Sequence, residues 1–343
     1  MNEKVMVAMS GGVDSAVAAA KISKEYGAAG VTMRLFADNE KDIEGAAALC
    51  RTLGIPHFTA DLGAAFRERV ILPFINTYLE GKTPNPCVLC NRAIKFGALL
   101  DFARENGYDK LATGHYARVE KSGDRFLLRR AANTKKDQSY VLYTLSQETL
   151  SRVLFPLGDF AEKDEVREFA ATHGFPMARA KESQDICFIP DGDYVAFIQK
   201  QTNIILQKGK FLDIEGNEIG EHDGMLHYTL GQRKGLRVGF GEPRYVVAKS
   251  AKQNTVTLGR NEDLMSSRVT AEKVNWIPFD ALGTPRVFDA KIRYGQRIAR
   301  ARVEMTSPDT LVAEFETPQR AVAPGQSIVF YDGEYLVGGG VIT

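Results

Sequence analysis

No stretch of the 343 residues is long and apolar enough to span a bilayer as a helix, and the chain runs from Met1 straight into an apolar segment at Val5. Neither a membrane span nor a secretory leader is therefore expected, and the expectation is a cytoplasmic protein with no membrane partner. Charge of one sign is also lacking. Lys and Arg number 44 against 43 Asp and Glu, a formal net of +1, so a wholly basic nucleic-acid binder is excluded and any polyanion must be met by local patches. Cysteine is scarce: four in the chain, two of them in one Cys-x-x-Cys, are too few for a secreted disulfide scaffold and in a reducing compartment point to catalysis or metal. Internal repeats and low-complexity tracts are absent too.

What is present begins at Val5–Ser15, VMVAMSGGVDS. Val5 to Met9 has the pattern of a buried strand in a parallel sheet, and Ala16 to Lys24 reads as a helix with Val13, Val17 and Ala20 on one face. Between them two consecutive glycines let backbone N–H groups point inward beside the positive end of a helix dipole, which makes an anion cradle. An ordinary glycine-rich strand-to-helix turn is the blander reading of the two glycines alone. GxGxxG spacing is missing, as is a Lys-Ser/Thr pair after the glycines, so the commoner phosphate loops do not fit. Gly81-Lys82-Thr83 is not the end of such a loop either, because Asn76 stands where its first glycine belongs and two prolines follow.

Strands and helices alternate after the opening loop: strands at Gly30–Met33, Ile55–Ala60 and Lys110–Thr113, helices over Ile43–Leu53, Ala64–Leu79, Ile94–Glu105 and Glu162–His173. The pattern predicts an α/β fold with a doubly wound parallel sheet whose ligands sit at the carboxyl ends of the strands. Beyond about residue 200 glycines recur every few residues, and short strands such as Arg244–Lys249 and Thr255–Leu258 replace helices. The expected organisation is a nucleotide-binding catalytic domain over 1–199, a small β-rich domain over 200–262 and a C-terminal β-barrel over 263–343.

Cys50 lies among Ala46, Ala47 and Leu49 in a helical setting and reads as a core thiol. Cys90 and Cys187 lie in polar, turn-rich segments where a thiol has little to pack against, which predicts a lowered pKa and reactivity. The prolines of TPNPCVLCN predict a rigid loop presenting Cys87 and Cys90. A zinc site is the alternative for that pair, but no second Cys-x-x-Cys or His pair completes one. In Ile298–Glu304 alternation puts Arg300 and Arg302 on one face and Ala299, Ala301 and Val303 on the other. Phosphate contacts and solvated arginines on a barrel exterior explain that strip equally well, and Arg233-Lys234 shares the ambiguity.

SGGVDS resembles the pyrophosphate loop of ATP pyrophosphatases, which adenylate a substrate oxygen. SGGVDSAV, TPNPCVLCN, ATGHYAR, KDQSYVLYTL, FPLGD, ESQDICFI, TLGQRKGL and IRYGQ together resemble the bacterial tRNA-specific 2-thiouridylase family, in that family's order and over essentially the whole chain. The resemblance implies ATP-dependent replacement of the C2 oxygen of the wobble uridine, position 34, by sulfur. It implies an ATP site at Ala8, Met9, Ser10, Gly11, Gly12, Val13, Asp14 and Ser15, with Asp14 helping to bind Mg²⁺ and with Met33 and Gly114 flanking the adenosine. Cys90 matches the family's nucleophile and Cys187 its persulfide-bearing cysteine, the two able to close a disulfide as sulfur leaves. Asn85, Pro86 and Cys87 fall where the loop meets the target base. His115, Lys136, Asp137, Gln138, Arg293, Tyr294 and Gln326 match tRNA contacts. The implied partners are tRNA and a sulfur-donor protein, a cysteine desulfurase or a sulfur-relay carrier.

Two departures from the family pattern stand out. Cys87 occupies a position where many members carry Asp, and the segment Leu35–Asp42 lacks a longer acidic, cysteine-bearing insert. With three thiols, two routes of sulfur delivery stay open: a persulfide relay, or a [4Fe-4S] cluster held by Cys87, Cys90 and Cys187 with one iron free to carry hydrosulfide. Rival functions are another adenylating ligase or amidotransferase of argininosuccinate or NAD synthetase type, which has no need of the thiols, and a non-catalytic RNA-binding or redox-sensing relative.

Overall fold

The apolar run at Val5 becomes the middle strand of the first sheet. In the computed structural model, which describes residues 3–36, 39–175, 186–236 and 241–343, the first half of the chain forms β1 (Lys4–Ala8), β2 (Gly27–Arg34), β3 (His57–Asp61), β4 (Lys110–Ala112), the hairpin β5 (Ala117–Ser122) and β6 (Arg125–Arg130), and the short β7 (Val153–Leu154). Five of these build one sheet in the order β3-β2-β1-β4-β7, every neighbouring pair parallel. Alternate side chains of β1 feed two cores. Val5, Val7 and Met9 pack against the helices Val13–Glu25, Glu40–Leu53 and Lys163–Thr172, while Met6 packs toward Phe96, Leu99 and Leu111. Helices on both faces make the sheet doubly wound, as the alternation predicts. Strand order reverses between β1 and β4, and that switch point is where such sheets open a crevice at their carboxyl ends.

Two helices differ from the expected outlines. The helix over 63–79 contains a π-helical stretch at Arg67–Ile71, and the one expected from Ile94 already starts at Pro86 and includes a π-helical stretch at Asn91–Ala98. The Cys-x-x-Cys therefore forms the first turn of a helix, with only Lys82 to Asn85 as loop. The local cause is Asn85, whose side chain accepts from Val88 N at the N-cap, followed by Pro86, whose missing N–H costs nothing at a first helical position.

Past residue 200 the chain is β-rich, as expected. β8 (Gly209–Leu212), β9 (Glu218–His222), β10 (Tyr245–Ser250) and β11 (Thr255–Gly259) form a small sheet around Phe211, Val246, Val256 and Leu258. β12 (Met265–Trp276), β13 (Arg286–Lys291), β14 (Ala299–Ser307), β15 (Thr310–Arg320), β16 (Ser327–Asp332) and β17 (Tyr335–Ile342) close into a barrel, since β12 pairs with both β15 and β17. The hairpin β5–β6 leaves the parallel sheet and adds to this barrel through β17, where Leu336 lies opposite Leu128. One core consequently holds Met6, Leu128 and Tyr140 together with Val329, Tyr331 and Leu336.

Candidate functional site

At the end of β1, Met9 N donates to Val31 O at 2.7 Å and the chain turns through Gly11, whose φ of +75° lies in the left-handed region. Gly12 is the N-cap of the helix Val13–Glu25 and supplies no side-chain cap, so the first N–H groups of that helix lack a side-chain acceptor. Ser15 staples the turn: its Oγ donates to Gly12 O at 2.9 Å and accepts from Ser10 N at 3.2 Å. Met9 and Val13 are buried, which leaves them only backbone to offer a ligand. Met33 O, at the end of β2, accepts from Asn39 Nδ2 at 2.9 Å, and Ala8 closes β1 half-buried.

Across the switch point, β4 ends at Ala112 and Gly114 meets the loop. A Cβ there would stand 2.9 Å from Asp14 C and 3.0 Å from Ser15 N, so nothing larger fits between the two strand ends. The sequence reading missed two residues that grip Asp14. Tyr116 OH donates to Asp14 Oδ1 at 2.7 Å, and Lys163 Nζ donates to the same oxygen and lies 3.1 Å from Tyr116 OH. Tyr116 sits one step past the glycine and histidine that end β4. Lys163 opens the helix Lys163–Thr172, and only the packing of that helix on Val13–Glu25 brings it here. Asp42, in the first turn of Glu40–Leu53, lies beside the same loop, its Oδ1 3.3 Å from where a Cβ on Gly11 would be.

Among the described residues no group of three or more His, Cys, Asp and Glu side chains is placed to hold a metal ion. Mg²⁺ fits the loop nonetheless, because it takes one or two carboxylates and completes its shell with phosphate oxygens and water, and Asp14 and Asp42 are available. Cys87, Cys90 and Cys187 form no group placed to hold a single metal ion.

The thiols themselves correct the sequence reading. All four cysteines are free, and Cys50 is buried as expected. Cys90 is half-buried against the apolar cluster around Phe74, Ile94 and Phe188 instead of lying in a polar turn. Burial pushes its thiol up to about 11, opposed by Lys95 and reinforced by Cys187 and Cys87. Cys87 and Cys187 are likewise raised by desolvation although both keep solvent access, and Lys95 opposes the rise at each. A lowered pKa is thus overturned for Cys90 and Cys187, because each sits among apolar atoms and other thiols with one cation nearby. Within ESQDICFI, Glu182 to Asp185 lie outside the described residues.

The residues matched to tRNA contacts divide by partner. His115 is buried and paired with Thr113 Oγ1 at 2.7 Å, and burial followed by the Lys95 charge holds its ring well below the ordinary histidine range, so it is neutral. Asp137 is buried and accepts from Ala131 N, Ser139 N, Ser139 Oγ and Arg130 Nε. Gln138 Oε1 accepts from Tyr116 N at 2.9 Å, and Lys136 N donates to Asn133 O at 3.1 Å. Arg293 donates to Ala321 O at 2.6 Å. Tyr294 is 46% exposed, packs edge-on to Tyr140, and has its phenol pushed up to about 12 by burial and then by the charges of Asp137 and Cys87. Gln326 Nε2 donates to Thr83 O at 3.1 Å and to Pro84 O at 3.0 Å. Pro86 is buried and Asn85 serves as helix cap, leaving Cys87 as the exposed member of its trio. On the barrel wall Ala301 and Val303 point inward and Arg300 and Arg302 outward, but Glu316 and Glu304 accompany the arginines at 3.7 and 3.4 Å.

Residues 3–191 match the model of a tRNA methyl transferase HUP domain, 195–260 that of a tRNA methyl transferase PRC-barrel domain, and 266–342 that of an aminomethyltransferase beta-barrel domain. Against the tRNA-specific 2-thiouridylase MnmA of Clostridioides difficile the chain is 44% identical over 356 residues, covering 100% of this chain and 98% of the relative. The chain belongs to the tRNA-specific 2-thiouridylase family. The family member from Treponema denticola is 45% identical over 357 residues, with 99% and 97% covered. Among solved structures, the NH3-dependent NAD synthetase of Campylobacter jejuni superposes on 59% of this chain and 77% of its own with a TM-score of 0.35 and 16% identity, too distant to inform the site.

Proposed function

We propose that this chain is an ATP-dependent tRNA-uridine 2-sulfurtransferase: it adenylates the C2 oxygen of the wobble uridine, position 34, and replaces that oxygen with sulfur. The observation that carries the reading is the glycine turn at the switch point, where Gly12 heads the helix Val13–Glu25, Gly114 closes against the loop, and Tyr116 and Lys163 hold Asp14, in a chain related to a tRNA-specific 2-thiouridylase over its full length. The domain descriptions name methyl transfer whereas the relatives' names state thiolation; a chain that carries both a pyrophosphate-type loop and the thiols Cys87, Cys90 and Cys187 favours thiolation.

The chemistry follows from the leaving group. A pyrimidine C2 carbonyl is amide-like and its oxygen leaves poorly, so transfer of AMP from ATP, with pyrophosphate departing, converts that oxygen into part of AMP. Ser10, Gly11, Gly12 and Ser15 would cradle the phosphates, and Asp14 with Asp42 would hold Mg²⁺, which neutralises pyrophosphate charge. The outer sulfur of a Cys187 persulfide displaces AMP from C2. Cys90 then attacks the Cys187 sulfur, leaving the outer sulfur on the base and closing a disulfide that a cellular dithiol must reduce. A cysteine desulfurase or sulfur-relay carrier would load the persulfide. ATP and tRNA as substrates support a cytoplasmic site of action.

Asp14→Asn tests the loop: AMP formation stimulated by tRNA is expected to vanish while the thermal transition stays in place, and thiolation at the wild-type rate would retire the assignment. The same assay on the wild type separates the rivals, since an amidotransferase or a non-catalytic relative shows no tRNA-stimulated AMP. Protein purified without oxygen is expected to be colourless and to thiolate with a persulfide donor; brown protein that loses iron on Cys87→Asp would establish the cluster instead.

A further inference from the structure

The loop leading into the Cys-x-x-Cys helix cannot satisfy its own backbone. Thr83-Pro84-Asn85-Pro86 has prolines at two of four positions, so it offers few N–H donors, and the carbonyls of Thr83 and Pro84 precede the helix and gain nothing from it. Their donors come from the other end of the chain. The turn 321–326 between β15 and β16 lies against the loop: Pro324 O accepts from Thr83 N at 2.8 Å, and Gln326 Nε2 donates to both Thr83 O and Pro84 O. Contact is close enough that a Cβ on Gly325, at φ +90°, would stand 2.9 Å from Thr83 O. The turn is itself anchored, Gly325 N donating to Ile342 O and Ile342 N to Gln326 O, each at 2.8 Å.

We propose that this barrel turn is a strut that sets the position of the Cys87–Cys90 helix, with Gln326 as the positioning residue. A side-chain amide that donates to two successive carbonyls fixes both the height and the direction of the chain just before the N-cap, and everything from Cys87 onward inherits that placement. Gln326 then acts on sulfur transfer through the thiol helix, whether or not it also meets RNA. For what the helix does, the inference rests on the thiolation reading.

The test uses the full chain with Gln326→Glu, which keeps the size and removes the donor, beside Gln326→Ala. Alkylation of Cys87 and Cys90 by iodoacetamide, mapped by mass spectrometry without tRNA or ATP, is expected to change rate in both variants. Thiolation kcat at saturating tRNA is expected to fall roughly tenfold to a hundredfold, as for a misplaced reacting group, with tRNA Kd within about twofold of wild type. A raised Kd with alkylation and kcat unchanged would make Gln326 an RNA contact and overturn the strut, and so would two variants indistinguishable from wild type in all three measurements. If Gln326→Ala is too unstable to purify, the Gln326→Glu result decides alone. Because alkylation is read without substrates, its failure counts against the strut and not against the thiolation reading.

Discussion

A thiol's neighbours matter more to its chemistry than its place in the sequence. Cys50 packs so closely under β2 that a Cβ on Gly30 would come within 2.4 Å of its sulfur, and burial raises its pKa from 9.0 to about 11. The unfolded chain ionises this thiol first as pH climbs. Its contribution to stability is therefore complete below pH 9 and is lost as the pH rises through about 11. Cys50→Ser is expected to cost roughly 1 kcal/mol in urea unfolding and to leave thiolation intact, whereas Cys90→Ser and Cys187→Ser each abolish 2-thiouridine. Cys90 alkylation in the free protein is expected to be slow at neutral pH and to accelerate as pH approaches about 11; equal loss of activity in all three variants would sink the division. The helical setting of Cys50 is legible in sequence because its neighbours are adjacent in the chain. The raised pKa of Cys90 is not, because Phe74 and Cys187 reach it from distant segments.

Two helix starts meet at Asp14, one carrying Asp14 in its first turn and the other presenting Lys163 as its first residue. The first is legible because strand, glycine turn and helix are contiguous; the second is an ordinary charged helix until the fold lays it alongside. Lys163 and Tyr116 hold one oxygen of the Asp14 carboxylate. A hydrogen bond to a charged group contributes about 1.5–3 kcal/mol net, so Lys163→Ala is expected to slow ATP–pyrophosphate exchange by roughly tenfold to a hundredfold. Lys163→Arg is expected to recover part of the loss by restoring the charge. Exchange at the wild-type rate in Lys163→Ala would show that the clamp has no part in orienting Asp14. Alternation along β14 likewise reveals its inward and outward faces, but not Glu316, which arrives from the adjacent strand to balance Arg300.

For the whole molecule, the change of texture near residue 200 separates α/β from β-rich sequence but hides how the two halves share a core. Pairing of β6 with β17 depends on residues more than two hundred positions apart, and nothing local in Arg125–Arg130 distinguishes a barrel strand from a hairpin beside the parallel sheet. The junction is extensive. Arg118 and Arg129 both reach Glu334, Tyr140 OH donates to Ser327 O at 2.7 Å, and Leu128, Tyr143, Val329, Tyr331 and Leu336 are buried in one cluster. The exposed ion pairs add little, but removing the barrel uncovers that apolar surface and leaves the hairpin without its neighbour strand. A chain ending at residue 262 is accordingly expected to aggregate or to lose cooperative unfolding, even though the entire glycine loop and all four cysteines remain in it. Calorimetry of the full chain is expected to show the parallel sheet and the barrel melting in one transition, with the small sheet around Phe211, which has its own core, as the only unit able to melt separately. A soluble 1–262 fragment with a sharp transition and wild-type ATP–pyrophosphate exchange would show instead that the barrel is an appendage for RNA, and that the parallel sheet closes its core without it.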